Sequence, residues 1–202
     1  MNQSDLNNFT EEVAEVAEAT QTDDWETRSI DALCDINPGS INDDGFTYDK
    51  ILYLDISSTA KGYIKELQEF DVSEMPSRAN RTVDQGDTVI STVRPGREHY
   101  VYITNPPENM VVSTGFVVLR PKQGVELDER YLYYATTHPR FIDYLEGNAT
   151  GSAYPAANLD VVRGGEIPVP PIEVQRRIGN ILYRVDEMIK QNLDEIETLV
   201  EL

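Results

Sequence analysis

Between Trp25 and about Lys122 the apolar positions fall in short runs of β character, "ILYLDI", "DTVISTV", "YVYIT", "MVVST" and "FVVLR", with Gly, Pro and Asn-Asp clusters between them. Runs of this length, rich in Val, Ile and Tyr and punctuated by turn residues, predict a strand-rich body. The period then changes. Behind a capping Asp128, Tyr131, Leu132, Tyr134 and Ala135 recur at helical spacing, and Pro139 divides Asp128 to Gly147 into two short helices. A polar loop, "NATGSAYPAANLD", leads to a strand-like piece ending at "EIPVPPI". At the N-terminus, Leu6, Phe9, Val13, Val16 and Ala17 give Ser4 to Thr20 a roughly helical stripe behind a Ser4 cap, on an acidic background. It reads as a short docking helix or a frayed tail.

The C-terminal pattern is the most sustained. Pro168, Pro170 and Pro171 remove backbone donors and hold the chain extended, so neither a ladder nor a helix is expected to run through them. Beyond Pro171, Ile178, Leu182, Val185, Ile189, Leu193, Ile196 and Leu199 recur at steps of three and four, which makes a one-sided apolar stripe. A terminal stripe of this length has little domain surface to fold back on. The helix is therefore expected to pair with another helix, in a partner or a second copy; lying on its own domain is the alternative. The fold class that follows is α+β, with an acidic N-terminal helix or tail (1–24), a mixed, strand-rich domain (25–171) and a long C-terminal helix of coiled-coil type (172–202).

A chain of 202 residues with 40% hydrophobic side chains suits one domain and an appendage. Its apolar runs, such as Phe116 to Leu119, are too short to span a bilayer, and the N-terminus lacks a basic start followed by an apolar stretch. No membrane association and a cytoplasmic setting are expected. The lone cysteine, Cys34, forms no internal disulfide and reads as a small buried hydrophobe; with only two histidines beside it, no metal site is expected. The net charge is -19. Eight of the 36 acidic residues lie between Asp5 and Glu26, where there is no Lys or Arg, and the other 28 still outnumber the 17 bases, of which twelve are Arg. Concentrated salt screens such self-repulsion, so the composition suggests a halophilic host, with an acidic mesophilic protein as the alternative. Global charge then says little about partners, and local patches decide.

The segment "IPVPPIEVQRRIGNILYRVDEMI" resembles the conserved stretch that closes each target recognition domain in the specificity subunit of type I restriction-modification enzymes. Upstream, "GDTVISTVRPG" resembles that family's Gly-Asp, strand, Arg-Pro element, and "GFVVLRP" its following core strand. "GNATGSAYPAANLDVV" resembles its glycine- and serine-containing loop, and "WETRSIDALCDINPG" the start of the domain. The match covers roughly Trp25 to Leu202. The resemblance implies a non-catalytic subunit without cofactors, acting in defence and DNA methylation, that reads one half of a bipartite site on double-stranded DNA. It also implies methyltransferase (M) subunits docked on a coiled coil, and a restriction/translocase (R) subunit. The family usually carries two recognition domains and two spacer helices per chain, whereas here there is one of each. Either a half-length subunit dimerises through the C-terminal helix, presenting palindrome-like half-sites, or the chain is half of a longer protein.

The residues offer candidates for a DNA face. Arg78, Arg81, Arg94 and Arg97 stand against Asp84 and Asp87 in a local excess of positive charge. Arginine pairs with guanine edges or contacts phosphate, while the alternative is solvated pairing with carboxylates. Lys61 and Lys65, in "KGYIK", are a second candidate edge. In the loop Asn148 to Asn158, Thr150, Ser152, Tyr154 and Asn158 offer small donors and an aromatic ring beside Gly151. Tyr154-Pro155 is equally a turn that returns the chain to the core. Arg176, Arg177 and Arg184 in the terminal helix could meet DNA or acidic groups of a partner, or set pairing orientation.

Other motifs are set aside. "NPPENM" resembles the catalytic loop of adenine methyltransferases, but Glu108 replaces the aromatic, and it reads as a hairpin loop. Asp43 and Asp44 read as a turn, "NAT" at Asn148 matches a glycosylation acceptor that a cytoplasmic setting discounts, and neither His99 nor His138 has a nucleophile in a recognisable setting. No catalytic residue is expected. The competing reading is an adaptor of the same fold that only dimerises and docks partners, which the acidity favours.

Overall fold

The computed structural model describes residues 9–11, 13–14, 25–43 and 45–200. Most of the predicted N-terminal helix, Asp44 and the Leu199 side chain lie outside the described residues; within that helix, Phe9, Thr10, Glu11, Val13 and Ala14 are helical. The elements run β1 (Thr27–Ser29), α1 (Ile30–Leu33), β2 (Cys34–Ile36), β3 (Lys50–Leu54), β4 (Gln68–Asp71), β5 (Ala79–Thr82), β6 (Thr88–Ser91), β7 (Tyr100–Tyr102), β8 (Met110–Ser113), β9 (Phe116–Pro121), α2 (Glu129–Thr137), α3 (Pro139–Gly147), α4 (Leu159–Gly164), β10 (Glu166–Pro168) and α5 (Ile172–Val200).

Two four-stranded sheets form the body. One has the order β2-β9-β6-β7, all antiparallel; the other has the order β4-β3-β8-β5, with β3 and β8 parallel. The first sheet is apolar on both faces. Val89, Val101, Phe116 and Val118 point to the second sheet, where they meet Leu54, Met110 and Val112, while Ile90, Tyr100, Val117 and Leu119 point to the helices. That two-sided burial is why "DTVISTV" and "FVVLR" are almost continuously apolar instead of alternating. The outer face of the second sheet is capped by a smaller cluster around Ile51, Tyr53 and Val111. Cys34 is buried in the helix-side cluster, and burial pushes its thiol up to about 12.

Three sequence expectations change. Strands β4 and β5, "QEFD" and "ANRT", are absent from the predicted runs, because they are edge strands that, unlike the edge strand β7, carry few apolar side chains. The "NPPENM" segment is no hairpin: β7 and β8 belong to different sheets, and the segment crosses between them. A short ladder does run into the prolines. β10 pairs with β1 as far as Thr27 opposite Pro168, and the Val169 N–H then donates to the Glu26 carbonyl at 2.8 Å. Antiparallel pairing bonds alternate residues, and Pro168 sits where no donor is needed.

Two helices lie between Asp128 and Gly147 as the spacing predicts. The Asp128 side chain accepts from the Tyr131 N–H at 3.0 Å, and His138 caps the second helix ahead of Pro139. Helix α5 starts directly after Pro171, whose carbonyl accepts from the Val174 and Gln175 N–H groups. Its first turns are fastened to the domain. Gln175, 1% exposed, accepts from the Asp128 N–H and donates to the carbonyls of Pro170 and Glu126. Gly179 allows close approach to α2, since a Cβ there would lie 2.9 Å from the Tyr131 nitrogen. Ile178 packs on the helix-side core, and Tyr134 donates to Asp186 at 2.7 Å. Beyond that the stripe is bare: Ile189, Leu193 and Ile196 are 52%, 58% and 56% exposed.

Candidate nucleic-acid interface

Three loops distant in sequence meet at one end of the two sheets. The first, residues 55–66, follows β3 and folds back on itself: Thr59 bridges Ile64, and the Lys65 N–H donates to the Ser58 carbonyl. Partial burial works against the Asp55 carboxylate at its base. Hydrogen bonds from the Ser58 N–H and the Ser57 hydroxyl outweigh it and hold the Asp55 pKa below the usual value. Gly62 turns the tip with φ 85°, and its N–H donates to the Tyr100 carbonyl. Lys61, Tyr63 and Lys65 are exposed there.

The second is the turn between β6 and β7. Its 3-10 segment Pro95–Arg97 is flanked by Arg94 and Glu98, both left-handed, with φ 50° and 56°. Such values are uncommon outside glycine and persist where surrounding contacts over-determine them. Here the third loop, residues 148–158 between α3 and α4, supplies those contacts. Val93 bridges Ala156, the Arg94 N–H donates to the Pro155 carbonyl at 2.8 Å, and the Ala157 N–H donates to the Thr92 carbonyl at 2.9 Å. The third loop is pinched by reciprocal bonds between Thr150 and Ala156, and Gly151 turns it with φ 112°. The Glu146 carboxylate at the end of α3 lies against Gly96, where a Cβ would collide with it.

The β8–β9 turn stitches this end together. The Gly115 carbonyl accepts from the Thr92 N–H and hydroxyl, and the Thr114 N–H donates to the Arg78 carbonyl. Arg78 therefore stands at the same end as the three loops, although it precedes an edge strand of the other sheet.

The candidate residues separate on this frame. Lys61, Arg78, Arg94, Arg97, Thr150, Ser152 and Tyr154 come together. Among the described residues, Lys65, Arg78 and Arg97 form no ion pair, whereas Lys61 is held by both Glu98 oxygens at 2.9 Å. Arg94 is turned inward: its Nη2 donates to the Ala153 carbonyl at 2.8 Å, and its guanidinium carbon lies 4.6 Å from the Tyr154 ring centroid. Arg81 is set apart. It is half-buried on β5, burial lowers its pKa, and its Nη1 has no hydrogen-bond partner. Asn158 caps α4, its side-chain oxygen accepting from the Val161 N–H at 2.9 Å, so the two-point grip on adenine is closed to it in this conformation. Tyr63 was missed; its signal was an aromatic beside a glycine between two lysines.

At the far end of β5, a recess lined by Tyr48, Val83, Asp84, Gln85, Asn105 and Glu108 carries acidic groups and does not suit a polyanion. No group of three or more His, Cys, Asp or Glu that could hold a metal occurs among the described residues, and no helix among them is long and apolar enough to cross a membrane.

The sequence model for the type I restriction modification DNA specificity domain matches residues 22–198. The HindI specificity subunit of Haemophilus influenzae is 24% identical over 157 residues, which is 77% of this chain and 34% of that protein. The HsdS subunit of Thermoanaerobacter tengcongensis shares the fold, with a TM-score of 0.66 at 24% identity, over 83% of this chain and 43% of that one. A chain from a structure on the assembly and conformational transition of the type I restriction-modification system aligns with a TM-score of 0.69, also at 24% identity, over 88% of this chain and 45% of its own length. The chain thus spans less than half the length of each of these relatives. With the family's sequence model matched over residues 22–198, the chain belongs to the type I restriction modification DNA specificity domain family.

Proposed function

We propose that this chain is a sequence-reading, non-catalytic DNA-binding unit of a type I restriction-modification complex, directing methyltransferase and endonuclease subunits to one half of a bipartite site. The observation that carries the reading is the meeting of three loops at one end of the sheets, with Lys65, Arg78 and Arg97 in no ion pair among the described residues, beside two exposed tyrosines. Cations held on rigid strands and turns suit phosphate contact, and the loop tips between them suit base edges. In this reading residues 25–171 form the recognition domain and residues 172–202 a spacer that pairs through Leu182, Val185, Ile189, Leu193 and Ile196, docking M subunits and, through them, the R subunit.

Methylome sequencing of the host with and without this chain tests the reading. Loss of methylation at one bipartite motif is expected, and an unchanged methylome overturns it. The second reading is an adaptor that only dimerises and docks partners. The net charge of -19 and the capture of Lys61 by Glu98 favour it, and it predicts the unchanged methylome together with an intact complex.

A further inference from the structure

Arg94 and Tyr154 form a unit that neither the family match nor the charge count assigns. Arg94 holds a left-handed backbone, bonds the third loop twice, through its N–H to Pro155 and its Nη2 to Ala153, and lays its guanidinium on one face of the Tyr154 ring. The guanidinium thus commits one N–H and one face to the third loop, which fixes its direction. Tyr154 is the opposite case. It is 71% exposed, its hydroxyl makes no hydrogen bond among the described residues, and its second face is open. Left in water, a large ring gains nothing from folding. Held face-on by a cation and projecting from a pinched loop, it is a stacking platform with its ordering cost already met.

We infer that Tyr154 contacts duplex DNA by laying its open face on a deoxyribose or on the groove edge of a base pair, and that Arg94 is the positioning residue that holds it there. This rests on the DNA-reading function proposed above and deepens it: the turn after β6 contributes a support and Arg97 the charge, while the third loop contributes the contact.

The test uses the full chain in its host complex and a duplex carrying the motif whose methylation depends on it, with a scrambled duplex as control. Arg94→Ala and Arg94→Lys are both expected to accelerate amide exchange of Thr150 and Ala156 in the DNA-free protein. Both should weaken binding to the motif about tenfold, the scale of one lost stacking contact, with the salt dependence unchanged. Tyr154→Phe keeps wild-type affinity, Tyr154→Ala loses about tenfold, and the double change Arg94→Ala with Tyr154→Ala is no weaker than Tyr154→Ala alone. Arg97→Ala lowers the salt slope by about one phosphate contact. If Arg94→Ala lowers that slope while Arg94→Lys restores affinity, Arg94 is a phosphate ligand and the inference falls. Wild-type binding with undiminished affinity in Tyr154→Ala, an exposed position that leaves the fold intact, overturns this inference alone. Absence of motif binding by the wild-type complex overturns both it and the reading beneath it.

Discussion

Asp87 and Arg120 explain two sequence elements at once. Asp87, the acid of "GDTV", is wholly buried and takes a bidentate grip from Arg120, the base of "VVLRP", at 2.7 and 2.8 Å; it also accepts from the Asp84 N–H. The Asp87 hydrogen bonds raise the Arg120 pKa further. The pair ties the start of β6 to the end of β9, so Asp87 and Arg120 hold this sheet together. Removing Arg120 strands the wholly buried Asp87, a cost of about 3 kcal/mol, whereas Arg120 without Asp87 keeps Asp84 at 2.7 Å and is partly exposed. Arg120→Leu should therefore lower the unfolding free energy measured in urea by that much, and adding Asp87→Leu should recover more than half. A double variant as unstable as the single one would show that the pair is not the cause. Two arginines that charge counting treats alike, Arg81 and Arg97, differ for a reason of the same kind: one is half-buried on a strand, the other exposed on a turn.

Helix α5 behaves as two elements. Its first half is bound to the domain by Gln175, by the close approach at Gly179 and by Arg130, which lies over the Tyr183 ring at 4.2 Å. The buried Gln175 side chain bonds three backbone groups, the Asp128 N–H and the carbonyls of Glu126 and Pro170. Gln175→Leu keeps the volume and abandons all three, which should cost about 2 kcal/mol, seen as a lower urea midpoint at unchanged slope. The spacing had put both halves into one pairing stripe. Yet Ile178 belongs to the domain core, while Ile189, Leu193 and Ile196 have no cover among the described residues. The alternative of lying on its own domain thus applies to the first half of the helix, while the second half leaves its stripe exposed.

At the scale of the molecule, the bare half of α5 and the strong negative charge act against each other. An apolar stripe favours pairing, and charge repulsion between two acidic copies opposes it at low ionic strength. The proposed halophilic setting resolves this, because salt screens the repulsion and leaves the stripe. Sedimentation should therefore show a dimer at about 2 M salt, where screening reaches within a few ångströms, and dissociation as salt falls. Ile189→Asp should give a monomer throughout with no loss of fold. A wild-type monomer at every salt concentration counts against the pairing helix.

The order and type of the longer elements follow from the sequence alone, because helix and strand periodicity, the Asp128 cap and the prolines at 139 and 171 act over a few residues. Edge strands β4 and β5 escaped, since these two carry few apolar side chains. What only the tertiary structure decided is which distant groups meet: the loop after β3, the turn after β6 and the loop after α3 at one end of the sheets, Asp87 with Arg120, and Arg94 with Tyr154. Those encounters depend on strand register and on the crossing between sheets. Both are settled by burial across the whole core, and no local stretch of chain encodes them.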